Sequence, residues 1–295
     1  IDHLTPYLDR EGICPDPVFI IGSPRSGTTA LGHALDRHPA LWASRESYFL
    51  FDCFGNGRAG GSWQRQLKRK NPSFLANSEV ERAEFLGFLG LGVNALYTSR
   101  SGGLRWVDPT PLNTIMVEDL ADLFPGAQFL FLVRDGRSVV RSMGRFRDNL
   151  EAKKGPIPDG EMPPWTHDFN SACETWTRYT ETGAAFAAAN PERCLIVRNE
   201  DLSADPDAGF TRIQAFLGLE QDGRPAAFFG KRRINSSFSE GGAEPAPTEW
   251  SPEQRRTFAE TAGAAMIEAG YLDAGGLDAW TSSESAGSAA ANPAT

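Results

Sequence analysis

Three largely apolar stretches, at 17–21, 128–133 and 193–197, have the length and composition of strands. Between and after them, apolar positions recur at helical spacing. The spacing predicts helices near 29–37, 78–96, 114–124, 135–149, 168–189, 206–217 and 252–269. This alternation predicts an α/β fold built on a doubly wound parallel sheet flanked by helices. No internal repeat is visible. The 295 residues fit one domain over 1–280, followed by a flexible Ser/Ala-rich tail at 281–295. Two further stretches, Gly55–Ser62 and Lys153–Pro164, read as low-order loops.

The first apolar run carries the most chemistry. Val18, Phe19, Ile20 and Ile21 lead into a glycine-containing loop, Gly22–Thr29, and an apolar-periodic helix starts at Ala30. A strand–loop–helix of this kind aims backbone N–H groups and the positive end of a helix at one point, which is how proteins hold phosphate. Gly22 and Gly27 have the spacing of a nucleotidase P-loop, but Thr28 stands where its lysine would follow. The cation within the loop is Arg25.

The second run ends on Arg134 and Asp135 and is followed by another helix, with Ser142 about two turns along it. An arginine at a strand's carboxyl end and a hydroxyl on the next helix suit a second phosphate. Two stations on neighbouring strands fit a nucleotide phosphorylated at two separate positions. Arg137, Arg141, Arg145 and Arg147 also read, at least in part, as a solvated basic helix face.

With these two motifs the chain resembles the sulfotransferases that use 3′-phosphoadenosine-5′-phosphosulfate (PAPS). Gly22–Thr29 is similar to their 5′-phosphosulfate loop, which implies cofactor contacts from Pro24, Arg25, Ser26, Gly27, Thr28 and Thr29. Arg134 through Ser142 is similar to their 3′-phosphate motif, spacing included. The likeness is to the Golgi-type, tyrosylprotein-sulfotransferase-like branch, in which a Pro-Arg-Ser-Gly-Thr-Thr loop is followed by His-Pro and a catalytic glutamate. Here these are Arg25, His38-Pro39 and Glu46. Patches of resemblance run from about residue 17 to 271, through Val197–Leu202 and Phe216–Gly218.

The resemblance implies a P-loop-like fold, PAPS as co-substrate and 3′,5′-ADP as product. It makes Glu46 the base that takes the acceptor proton and Arg25 the cation that stabilises the transferring group. The plainer reading pairs Glu46 with Arg45 or Arg25 at the surface. Asp135 is expected to orient Arg134 or cap the next helix. In the basic segment Gly230–Phe238, Arg232 matches a residue that closes over the 3′-phosphate, and an ordinary basic loop is the alternative. Ser239–Glu249, rich in Gly, Pro and Glu, has the composition of a cofactor lid or of any surface connection.

Two departures stand out. Many family members carry a lysine in a Lys-Thr-Pro or Lys-Asp-Pro segment, and here the stretch is Trp106–Pro111 without one. Lys68, Lys70, Lys153, Lys154 and Lys231 all lie elsewhere, so either Arg25, Arg105 or a distant lysine does the work or transfer runs with less help. Asn199 stands where the family's Val-x-Tyr-Glu-Asp-Leu pattern has an adenine-side tyrosine. A small-molecule kinase using ATP and Mg²⁺, and a non-catalytic nucleotide-binding relative, are therefore the competing functions. The missing lysine after Gly27 speaks against the first.

Composition narrows the partners. A net charge of −9 speaks against general nucleic-acid binding. Cys14, Cys53, Cys173 and Cys194 form no metal pattern and read as reduced thiols, although four could make two disulfides. No motif requires a metal, and His3, His33, His38 and His167 lack ligand spacing; His38 reads as a helix-end residue, and facing the site from the first helix is only the minor reading of His33. No membrane-spanning run is present, and a cytoplasmic location follows from where PAPS is made in most cells. The partner expected is a hydroxyl-bearing acceptor, a small-molecule or natural-product alcohol or phenol. Aromatics around it (Tyr48, Phe49, Phe51, Phe54, Trp63 and Trp165) are candidates to line its pocket.

Overall fold

The computed structural model describes residues 12–68, 74–158, 160, 162–231 and 250–282. It divides into two compact units: Ile1–Val133 with Thr182–Asn235, and Arg134–Glu181 with Ser236–Thr295.

The first unit holds a five-stranded parallel sheet: β1 (Val18–Ile21), β2 (Leu41–Ala43), β3 (Arg105–Asp108), β4 (Gln128–Val133) and β5 (Cys194–Arg198). The strand order is β2-β3-β1-β4-β5. Val18 pairs with Val107 on one side of β1 and with Gln128 on the other. The chain winds outward from β1 in both directions, so the carboxyl end of β1 is a switch point, where ligands bind in doubly wound sheets.

Period-two alternation sorts the side chains of the central strands onto two different surfaces. Val18, Ile20, Leu130 and Leu132 meet an aliphatic layer built from Leu31, Leu35, Phe210, Ile213 and Leu217. These come from helix α1 (Thr28–Leu35) and, later in the chain, from the helix Pro206–Phe216 and its C-cap Leu217. The opposite surface is aromatic: Phe19 lies 5.5 Å from Trp106 edge-on and 5.5 Å from Phe129 in a stack, and Phe129 meets Phe186 at 4.7 Å. Burial on both surfaces explains why β1 and β4 are unbroken apolar runs.

After α1 come α2 (Phe49–Phe54), α3 (Arg58–Leu67), α4 (Phe74–Asn77), α5 (Arg82–Arg100), α6 (Val117–Leu123), α7 (Gly136–Gly144) and α8 (Phe146–Lys154). The chain continues with α9 (Phe169–Ala189), α10 (Asn199–Ala204), α11 (Pro206–Phe216), α12 (Arg224–Lys231), α13 (Pro252–Glu268) and α14 (Ala274–Ser282). In the second unit, Val139, Val140 and Met143 of α7 pack with Trp176, Phe258 and Met266. Trp176 also donates its indole N–H to the Arg134 carbonyl at 3.1 Å.

Several expectations need correction. The single helix expected over 135–149 is two: the first ends at Gly144, a poor helix former, and the second starts at Phe146. Gly55–Ser62 is not simply a loop, because α3 starts at Arg58 and buries Ala59 and Gly60. The helix expected at 78–96 runs from Arg82 to Arg100. Among the described residues no helix is long and apolar enough to cross a membrane.

Candidate active site

The loop after β1 is shaped by two glycines. Gly22 has φ +154°, and a Cβ there would lie 2.3 Å from the Leu132 carbonyl oxygen. Only a residue without a side chain lets β1 leave the sheet at this point. Gly27, the N-cap of α1, has φ +106°, and a Cβ there would lie 2.7 Å from Asn199 Nδ2. Arg25 also sits in left-handed space, at φ +70°. A non-glycine residue held there costs about 1 kcal/mol or more, and such strain collects at functional sites. Left-handed residues at 25 and 27 bend the chain into the kind of amide nest that receives an anion.

The loop is fixed by bonds on several sides. The Ser23 carbonyl accepts the Ser26 N–H at 3.1 Å and the Ser26 hydroxyl at 2.7 Å. The Gly22 N–H donates 2.8 Å to Thr114 Oγ1. Asn199 Nδ2 donates 3.0 Å to the Ser26 carbonyl. Pro24, Ser26 and Thr28 are buried, while Arg25, Gly27 and Thr29 remain partly open.

Glu46 meets this loop directly: its carboxylate accepts the Thr29 hydroxyl. The segment that carries it is stitched to the end of β3. Ser44 N–H donates 2.9 Å to the Val107 carbonyl, and Ser47 N–H donates 2.9 Å to Thr110 Oγ1. Between these two anchors Glu46 is exposed. Tyr48 and Phe49 follow it, and both are exposed.

Beneath that segment lies Asp108, fully buried at the end of β3. Its Oδ1 accepts the Thr110 N–H at 2.9 Å, and Tyr97 OH approaches Oδ2 at 3.4 Å. Burial raises the Asp108 carboxyl above its ordinary value, opposed by the Thr110 hydrogen bonds. Burial and the adjacent Asp108 likewise raise the Tyr97 phenol.

Arg105 is no substitute for the absent lysine. It starts β3, at the strand end away from the loop, and donates to the carbonyls of Asp16 at 2.5 Å and Leu217 at 2.6 Å. It also donates to Gln128 Oε1 and pairs with the Asp16 carboxylate at 3.2 Å. His38 is equally committed, accepting the Ala40 N–H on Nδ1 and bonding the Glu220 carbonyl through Nε2.

In the second unit, Arg134 is partly buried and Ser142 buried on α7. Asp135 caps that helix: its carboxylate accepts the Arg137 N–H at 2.8 Å and pairs with the Arg137 guanidinium. That pairing raises the Arg137 pKa. Arg147 pairs with Glu151 one turn on at 3.2 Å. Two of the four arginines after Arg134 are thus engaged along their own helices. Arg232 and the Ser239–Glu249 segment lie outside the described residues.

Thr114, Thr110 and Asn199 escaped the sequence reading as site residues. Thr110 and Asn199 fall in segments already notable for a missing lysine and a missing tyrosine, which was the available signal. Thr114 gave none.

The profile of the Sulfotransferase family matches residues 17–223. Nodulation protein NoeE of Sinorhizobium fredii (strain NBRC 101917 / NGR234) is 25% identical over 288 residues, covering 86% of this chain and 65% of that protein. Protein-tyrosine sulfotransferase 1 of Danio rerio is 26% identical over 215 residues, 73% of this chain and 56% of the relative. The chain therefore spans less than two-thirds of either relative's length. The crystal structure of sulfotransferase STF9 from Mycobacterium avium superposes with a TM-score of 0.52 at 15% identity, covering 89% of this chain and 80% of that one. The shared fold reaches beyond what identity alone would reveal.

Proposed function

The chain belongs to the sulfotransferase family, and on that premise we propose that it transfers a sulfuryl group from PAPS to an acceptor hydroxyl and releases 3′,5′-ADP. The observation that carries the proposal is the contact between the anion-binding loop and a carboxylate: Glu46 accepts the hydroxyl of Thr29, the loop's last residue. A base for the acceptor and a cradle for the donor thus adjoin.

In this reading the acceptor oxygen attacks sulfur as its proton passes to Glu46. The bond from sulfur to the bridging oxygen breaks, and its electron pair leaves on the 5′-phosphate. Residues 24–29 hold the 5′-phosphosulfate, and Arg25 offsets the charge that grows on the bridging and equatorial oxygens. With Arg105 tied to the far end of β3, Arg25 is the cation that the loop itself carries. Arg134 and Ser142 hold the 3′-phosphate, a role supported by their motif spacing; Arg232 is assigned to the same phosphate from its position in the family pattern alone. The acceptor is a small-molecule or natural-product alcohol or phenol; the exposed Tyr48 and Phe49 beside Glu46 suit an apolar or aromatic body. The reaction belongs in the cytoplasm, where PAPS is made in most cells.

Sulfate transfer from labelled PAPS to a panel of alcohols and phenols, run with and without a chelator, tests the proposal. Transfer that survives chelation supports it. Phosphoryl transfer from ATP–Mg²⁺ in its place overturns it.

A further inference from the structure

Asn199 occupies the place of an expected adenine-side tyrosine, yet its side chain is spent elsewhere. It opens α10 directly after β5, and its Nδ2 reaches the Ser26 carbonyl at 3.0 Å. Ser203 Oγ donates to Asn199 Oδ1 at 3.5 Å from the next turn, which orients the amide with its nitrogen toward the loop. A Cβ on Gly27 would come within 2.7 Å of the same nitrogen, so Gly27 and Asn199 fit each other as a pair. A trans peptide is planar, with its C=O and N–H directed oppositely. Tying down the Ser26 carbonyl therefore fixes the Gly27 N–H, which points away from Asn199. That N–H belongs to the N-cap of α1, at the positive end of the helix.

We infer that Asn199 is a positioning residue for the donor's 5′ end: it clamps the Ser26–Gly27 peptide and presets the Gly27 N–H for the phosphosulfate. The inference rests on the proposed PAPS reading. It separates this residue from a role in packing the adenine, because a clamp acts only on the group the loop holds.

The test compares wild type with Asn199→Ala and Asn199→Asp, which lacks a donor at the same shape. Calorimetry measures their affinities for 3′,5′-ADP, adenosine 5′-phosphosulfate and adenosine 3′-phosphate, and amide hydrogen exchange follows the peptides covering 22–29. Loss of one hydrogen bond predicts about tenfold weaker binding of the two 5′-substituted nucleotides, with adenosine 3′-phosphate held to about twofold. Exchange in the loop should quicken in both variants. Equal losses for all three nucleotides would place Asn199 at the base and overturn the clamp, as would unchanged affinities. If wild type binds none of the three, the PAPS reading has failed. The exchange arm then decides alone: faster exchange in the variants upholds the clamp, and unchanged exchange overturns it.

Discussion

Replacing Thr114 with valine removes one hydroxyl and keeps the branched shape. That hydroxyl is fully buried and accepts the Gly22 N–H at 2.8 Å. It also lies 2.8 Å from the Pro111 carbonyl and 3.1 Å from that of Gly22, and its single proton serves the shorter contact. Valine therefore deletes two hydrogen bonds and leaves the Gly22 N–H buried without a partner, at the residue where β1 turns into the loop. An orphaned buried donor costs about 1–3 kcal/mol and a lost hydrogen bond about 1 more, so the expected destabilisation is about 2–4 kcal/mol. Thr114→Ser keeps the hydroxyl and gives up one methyl, at about 1 kcal/mol. Denaturant unfolding of the three proteins, compared at equal slope, measures both numbers. The valine variant should also bind 3′,5′-ADP more weakly than the serine variant, because the loop loses its anchor. A valine variant no less stable than the serine variant, with unaltered nucleotide affinity, would refute the anchoring role.

Three further outcomes are expected. Glu46→Gln should lower turnover by about 10² or more while leaving 3′,5′-ADP affinity intact, and near-normal rates would remove it as the base. Asp108→Asn tests the buried carboxyl. Because its pKa is raised in the folded protein, the stability of wild type relative to the variant should be constant below the ordinary value of 3.8 and fall as pH rises through the folded value. Unfolding midpoints of both proteins across that range check this, and a difference that stays flat contradicts it. Cys53 is exposed, whereas Cys14, Cys173 and Cys194 are buried, with Cys173 and Cys194 pushed up to about 12 by burial. A thiol reagent should therefore modify Cys53 quickly and the other three only on unfolding; rapid labelling of Cys173 in the native protein would contradict the packing around α9.

The phosphate-loop strand was legible because its physics is local. A strand covered on both surfaces must be apolar throughout, and the turn out of it demands glycine at 22 and 27. β4 was visible for the same reason, and β5 as a short apolar run even though Ile196 in it is exposed. β3 was not, since Arg105 and Asp108 bracket only two apolar residues, and the partners that hold these two side chains leave no local pattern. β2 has only three residues, too few to show a period. Glu46 could be named from its place after the loop, but not the anchors that hold its segment. The Thr114–Gly22 bond spans 92 positions and the Asn199–Ser26 bond 173. Such pairs are created by the winding of the sheet, and single polar residues carry no periodic trace of them. The departures from the family pattern at Trp106–Pro111 and Asn199 were readable as absences. Only the folded chain shows what occupies them: Asp108 and Thr110 supporting the Glu46 segment, and an amide holding the loop.

The identity of the donor decides the function most directly. Calorimetric titration of the protein with 3′,5′-ADP, against ADP and ATP–Mg²⁺, tests it in one experiment. Binding of 3′,5′-ADP at about micromolar affinity or tighter, without metal and well ahead of ADP, is the predicted result. Preference for ATP–Mg²⁺, or no binding of any of the three, would contradict it.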